Sequence, residues 1–201
     1  MSVTVDSQPI SADALGFKTV GQVLSHLQRD NRLVVNVLID GREPDLDHLS
    51  TVKQSLLSNH TLFIETADPR EMALEVLDEV ETHLSEADVL REAAAELLQR
   101  NQCAAAMEKL SFCFTTWQHA QESVLKTAQL LRLNLADIRV DAAQSLTEML
   151  MSFTQQLKSI RDALESRDFV TLGDVLLYEM TETAKRWGDA IGAMRGAVRA
   201  S

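Results

Sequence analysis

Proline and glycine are scarce in this chain, and their placement divides it. The 201 residues hold three prolines and seven glycines. All three prolines, Pro9, Pro44 and Pro69, fall at or before position 69. From Arg70 to the end there is no proline, and the only glycines are Gly173, Gly188, Gly192 and Gly196. So long a stretch without breakers excludes a loop-rich or all-β second part. Cysteine is as rare. Cys103 and Cys113 sit ten apart in a helical pattern, about 15 Å along one straight helix. They cannot pair there, so reduced thiols in the cytoplasm are expected.

Other absences exclude whole classes of function. The net charge is −11. Residues 1–68 carry nine acids and five bases (−4), and the remainder carries 21 acids and 14 bases (−7). With no basic stripe, binding to nucleic acid or to an anionic membrane is not expected. No apolar run reaches membrane-spanning length, and the opening MSVTVDSQPI lacks the basic start and apolar stretch of a signal peptide. No two of His26, His48, His60, His83 and His119 lie within four residues of each other. A di-iron bundle needs a repeated Glu-x-x-His, but the positions three before His83 and His119 are Val80 and Thr116. There is no glycine-rich phosphate loop and no Cys-x-x-Cys. The expected catalytic residues, metal ligands and cofactors are therefore none.

What is present reads as two parts, an α+β chain with a small α/β domain over 1–68 and an antiparallel four-helix bundle over 69–201. In the first part, Val3 and Val5 predict a short strand, with a turn at Asp6-Ser7-Gln8-Pro9 and a return through Ile10. Thr19, with Gln22 three residues on, predicts a capped helix whose apolar face holds Val20, Val23, Leu24 and Leu27. Leu33–Ile39 is the richest in β-branched residues, and the expectation is a central strand buried on both faces. A second helix is expected over Leu46–Leu57 and a second strong strand over Thr61–Thr66. Val3–Pro9 and Val37–Pro44 also echo each other as strand-turn units.

From Pro69 the apolar period changes from two to between 3.5 and 3.6. Asp68 is a good N-cap and Pro69 suits a first helical turn. The first stripe includes Ala73, Leu77, Val80, Leu84 and Leu97, and the helix should end near Asn101. A second runs through Met107, Leu110, Phe114, Trp117, Val124 and Leu131. A polar stretch from Asn134 to Asp141 precedes the third, which holds Leu146, Leu150, Phe153, Leu157, Ile160 and Leu164. After the tight junction Ser166-Arg167-Asp168, the fourth carries Leu172, Leu176, Met180, Ala184, Trp187, Ile191, Met194 and Val198. Each stripe is one apolar face that needs partners. The glycine-rich end is expected either to weaken the last turns or to let another backbone approach. The acids Glu75, Asp78, Glu79, Glu81, Glu86 and Asp88 read as a solvated face. Phe114 and Phe153 are expected in the core. Trp117, Tyr178 and Trp187 are amphipathic and suit an interface.

The segment Thr66-Ala67-Asp68-Pro69-Arg70-Glu71-Met72 resembles the opening of the flagellin export chaperones, the FliS family. Asp78, Leu157, Ala163, Asp168 and Trp187 fall in a pattern similar to that family's helices, and Leu77 stands where it carries a tyrosine. The closing segment Arg167–Glu179 is similar to that of bacterial proteins with the same two-part layout. The resemblance implies a cytoplasmic, non-enzymatic chaperone or adaptor. It would hold an amphipathic or disordered partner segment, flagellin-like among the candidates, with Leu77, Trp117, Tyr178 and Trp187 as partner-binding residues. The alternative is a self-associating structural protein, for instance a homodimer joined through an exposed strand edge.

Overall fold

The computed structural model describes residues 2–201, the side chains at 46 and 49 excepted. The chain divides into two compact units, Met1–Met72 and Ala73–Ser201. It is an α+β protein, a small four-stranded sheet followed in sequence by a long helical region.

In the first unit, β1 (Ser2–Val5) turns back into β2 (Gln8–Ile10) through a two-residue loop. Asp6 and Ser7 both take positive φ, 47° and 64°, as a hairpin turn matched to strand twist demands. Helix α1 (Val20–Arg29) follows, with Thr19 and Gln22 forming the expected capping box. Next come β3 (Leu33–Ile39), a short α2 (Leu49–Gln54) and β4 (Thr61–Ala67). The strand order is β2-β1-β4-β3, with β1 parallel to β4 and the other pairs antiparallel. Alternate residues Val3, Val5, Leu62 and Ile64 form one buried core with Val20, Val23 and Leu27 of α1.

Two expectations for this unit need correction. Strand β3 is an edge strand, not a central one, and its residues are half-buried or exposed. β-Branched composition reports strand propensity, whereas sheet order here follows from the parallel β1–β4 pairing, which places β4 in the middle. The helical segment begins at Leu46 as expected, with a 3-10 turn (Leu46–His48) leading into α2, but it stops at Gln54 and does not reach Leu57. Its chain leaves the helix because Ser55 and Leu57 pair with the first residue of α1 and the segment before it: Val20 N–H donates to Ser55 O (3.1 Å) and Leu57 N–H to Lys18 O (3.0 Å). At Gly21 a Cβ would stand 2.8 Å from Lys53 O, so only glycine lets α1 and α2 approach this closely.

The echo between the two strand-turn units has a physical basis. Asp40 and Gly41 repeat the positive-φ pair of Asp6 and Ser7, at 53° and 78°. Each aspartate then pins one end of β4. Asp6 accepts from Thr66 N–H (2.7 Å) and Thr66 Oγ1 (2.8 Å) and pairs with Arg32. Asp40 accepts from Thr61 N–H (2.8 Å) and pairs with His60 (2.7 Å).

In the helical region, α3 (Pro69–Gln99), α4 (Cys103–Leu131) and α5 (Leu146–Glu165) are followed by α6 (Phe169–Asp174), a π-helical turn (Val175–Glu179) and α7 (Met180–Ala200). Each of the four expected stripes turns into one common core. The stretch after α4 is not simply polar: Leu133, Leu135, Ile138 and Val140 pack onto that core. Helices α3, α4 and α5 end alike, each with a residue at positive φ (Asn101, Arg132, Arg167). The next N–H then reaches back five residues, as Leu133 does to Ala128 O (2.8 Å) and Asp168 to Ala163 O (2.9 Å). Helix α7 continues through Gly188, Gly192 and Gly196, and a Cβ placed at any of them meets nothing within 4 Å beyond the local helix backbone and its chain neighbours.

Candidate functional site

The π turn is written in the spacing of the last stripe. Leu172, Leu176, Met180 and Ala184 stand four apart three times running. Four residues advance about 400° around a helix with 3.6 per turn, so three such steps drift by about 120° off any one face. A wider turn between Val175 and Glu179 absorbs the drift, and Leu172, Leu176 and Met180 are all buried. Met180 N–H accordingly donates to Val175 O, five residues back. The Leu176 carbonyl receives the Nη1 of Arg91 from α3.

Arg91 is therefore a pin for the π turn. It is only 1% exposed, the one buried guanidinium among the described residues. Its Nε donates to Asp88 (2.7 Å) and its Nη2 to Glu92 (3.2 Å). A buried cation needs such partners, because the unpaired charge would lose several kcal/mol of hydration. Further along, Arg195 of α7 meets both Asp78 and Glu81 of α3 at 2.6 Å, and those two carboxylates hold its pKa above the ordinary arginine value. The acidic face of α3 is thus more than a solvated one. Asp78, Glu81 and Asp88 tie α3 to α7 or to Arg91.

Beside Arg91 lies a cleft of about 450 Å³ between α3 and α7, with Trp117 of α4 at its base. Trp117, Trp187, Met180 and Ile191 are its buried apolar lining, while Val89 (67% exposed) and Gly188 lie at its open margin. Glu81, Asp88, Glu92 and Lys185 give it a mixed polar border. The two tryptophans are joined through Phe153, which meets Trp117 at 6.2 Å and Trp187 at 5.2 Å between ring centres, both edge-to-face. Such pairs hold rings in fixed orientations. The indole Nε1–H of Trp187 is buried and no group among the described residues accepts from it. A buried donor left so costs about 1–3 kcal/mol.

Of the four residues expected to meet a partner, Trp117 and Trp187 come together in this cleft. Leu77 is fully buried in the helical core, and Tyr178 is 73% exposed on the π turn; neither lines the cleft. Sequence reasoning missed Arg91. Its signal was there in the three-fold spacing of four around Leu176, but nothing in the sequence names the cation that would reach the turn. Cys113 is buried, donates to Ala87 O (3.3 Å), and its thiol pKa is pushed up to about 11 chiefly by desolvation. That state suits a packing residue and not a nucleophile. Among the described residues no group of three or more His, Cys, Asp or Glu is placed to hold a metal ion, and no helix is long and apolar enough to cross a membrane.

A family model described as a domain of unknown function (DUF8042) matches residues 75–190, more than half of the chain. The chain belongs to the DUF8042 family. The DUF8042 match takes in the whole cleft lining except Ile191 and leaves out the sheet. No curated protein and no solved structure matches the chain.

Proposed function

We propose that this protein is a non-catalytic, cytoplasmic adaptor or chaperone whose four long helices form an antiparallel bundle and hold an amphipathic or disordered segment of a partner protein in the α3–α7 cleft. The observation that carries this is the cleft lining itself, in which Trp117, Trp187, Met180 and Ile191 form an apolar floor inside a mixed polar border. That apolar lining would take one face of a helix. The mixed border of acids and Lys185 suits a segment with both charges on its other face. The resemblance to flagellin export chaperones makes a flagellin-like tail the first candidate to try.

Gly188 provides the test. It is exposed at the cleft margin, and a Cβ there meets nothing within 4 Å beyond the local helix backbone and its chain neighbours. Gly188→Arg therefore fills the cleft without disturbing the core, and removing a mid-helix glycine stabilises by about 0.5–1 kcal/mol. Segments would be selected on the wild-type chain from a display library of amphipathic and disordered peptides, then titrated by tryptophan fluorescence. The expected outcome is binding lost in Gly188→Arg, and weakened about 3- to 10-fold in Trp187→Phe, which removes part of the apolar lining. Selected segments that bind Gly188→Arg as tightly as wild type would rule the cleft out.

A further inference from the structure

The sheet has two edges of different character. Strand β2 is three residues long and contains Pro9, so it offers little to pair with. Strand β3 is seven residues long and carries no charge. Its register with β4 (Val37 opposite Ile64, Leu38 opposite Phe63, Ile39 opposite Leu62) and the bond from Asp40 N–H to Thr61 O (2.9 Å) fix which backbone groups face which way. Asp40 and Leu38 point theirs at β4, so Val37 and Ile39 point theirs outward. Those of Ile39 are taken by Arg42, through bonds of 2.9 and 3.1 Å. At the other end the register shifts between Val34 and Asn36, which leaves Val35 bulged and 47% exposed. The open part of the edge is thus Val34–Val37, with no partner for the outward N–H and C=O of Val37 among the described residues.

That same stretch lines a groove of about 450 Å³, shared with Leu24, Ser25 and Gln28 of α1, with Glu43 and Pro44, and with Val52 and Lys53 of α2. We infer that this groove is a strand-addition site. A short extended segment of another polypeptide pairs with the backbone of Val37, about 4.8 Å from β3, and sends alternate apolar side chains toward Leu24 and Val52. The open stretch carries no charge and Glu43 and Lys53 offset each other, so the segment taken is uncharged. A second copy of this chain is a poorer occupant. Its own open edge lies in the same walled groove, and both copies carry a net charge of −11. This site is separate from the helical cleft and stands or falls without it.

The experiment uses the full ¹⁵N-labelled chain and a panel of end-blocked hexapeptides alternating Thr with Val, Ile or Phe. Each peptide has a twin N-methylated on the residues that would donate to β3. The expected result is amide shifts confined to α1, α2 and β3, and at least tenfold slower exchange of the Val37 amide. Both are lost with the methylated twins and with Ser25→Arg, an exposed position whose new side chain fills the groove. Equal binding by the methylated twins, or an unprotected Val37 across the panel, overturns the proposal. So does protection of Val37 that rises with protein concentration in the absence of peptide, which would make a second copy the occupant.

Discussion

The two units of this chain leave different kinds of group unmet. Among the described residues of the sheet unit, the unsatisfied atoms are backbone, on the open part of β3. In the helical unit they are side-chain atoms, and one of them, the Trp187 indole, lines a cleft. The units are also held differently. The sheet depends on a few long-range pins, Asp6 and Asp40 at the ends of β4 and the close approach at Gly21. The helical unit spreads its stability over a large apolar core and spends the buried Arg91 on a single turn. Natural chains keep local rules nearly everywhere, so the places where a rule is broken are where binding is to be sought.

The sharpest way to break this comparison is to remove the pin in the helical unit. Arg91→Met keeps the long side chain and deletes the donors. Leu176 O then loses a partner inside the core, while Asp88 and Glu92, at 36% and 60% exposure, turn to water. The expected loss is about 2–4 kcal/mol, read by urea unfolding on tryptophan fluorescence, since both tryptophans lie in this unit. Amide exchange should speed first around Val175–Met180. The counterpart in the sheet unit is Gly21→Ala. Its Cβ would meet Lys53 O at 2.8 Å, and backbone gives less readily than a side chain. A loss of about 1–3 kcal/mol is expected, seen as faster amide exchange in β1 and β4 with tryptophan unfolding unchanged.

The sequence made the two units legible to different depths. The helical stripes were readable because each helix buries one face, so Leu110, Phe153 and Ile191 repeat at the helical period. The capped start of α1 could be read from Thr19 and Gln22 because capping is local. The place of β3 could not be read, because a run such as Leu33–Ile39 records what a strand likes, and its neighbours are chosen by residues some thirty positions away. In the site, Trp117 and Trp187 were legible as amphipathic aromatics. Arg91 was not, because its partner carbonyl is 85 residues distant. Tyr178 and Leu77 share the stripes' spacing, but that spacing cannot tell the cleft from the core or from an exposed turn.

The helix ends offer a smaller and opposite effect. Arg132 and Arg167 hold positive φ near 55°, a conformation that costs a side chain about 1 kcal/mol and glycine almost nothing. Arg132→Gly and Arg167→Gly should each stabilise the helical unit by about 0.5–1 kcal/mol in the same urea assay. In the sheet unit, Asn31 also ends its helix at positive φ (57°). Asparagine tolerates that region, so Asn31→Gly should change little.

The smallest effect is one of pH, and both units share it: in the sheet unit the hydrogen bonds from His60 and from the Thr61 N–H lower Asp40, and the helical unit holds three such carboxylates at or before helix starts. Glu148 accepts from the backbone N–H of Ser145 (2.7 Å) and from its hydroxyl (2.8 Å), and these bonds lower its pKa. Asp141 is lowered by the N–H groups of Ala143 and Gln144, and Asp168 by that of Thr171. Each is depressed in the folded state relative to the unfolded chain. Their stabilisation is therefore complete above the unfolded carboxylate range, near pH 4, and is lost as pH falls through the lower folded values. All three lie at helix starts or in the loop before α5, so mild acid should loosen those starts while the long helices persist. Amide exchange at Leu146–Met149 between pH 5 and pH 3 measures it. Glu148→Gln should give a nearly flat response at that cap, because a neutral amide can still accept the Ser145 hydrogen bonds but has no proton to gain. A response as steep as the wild type's would mean that another group controls the loosening.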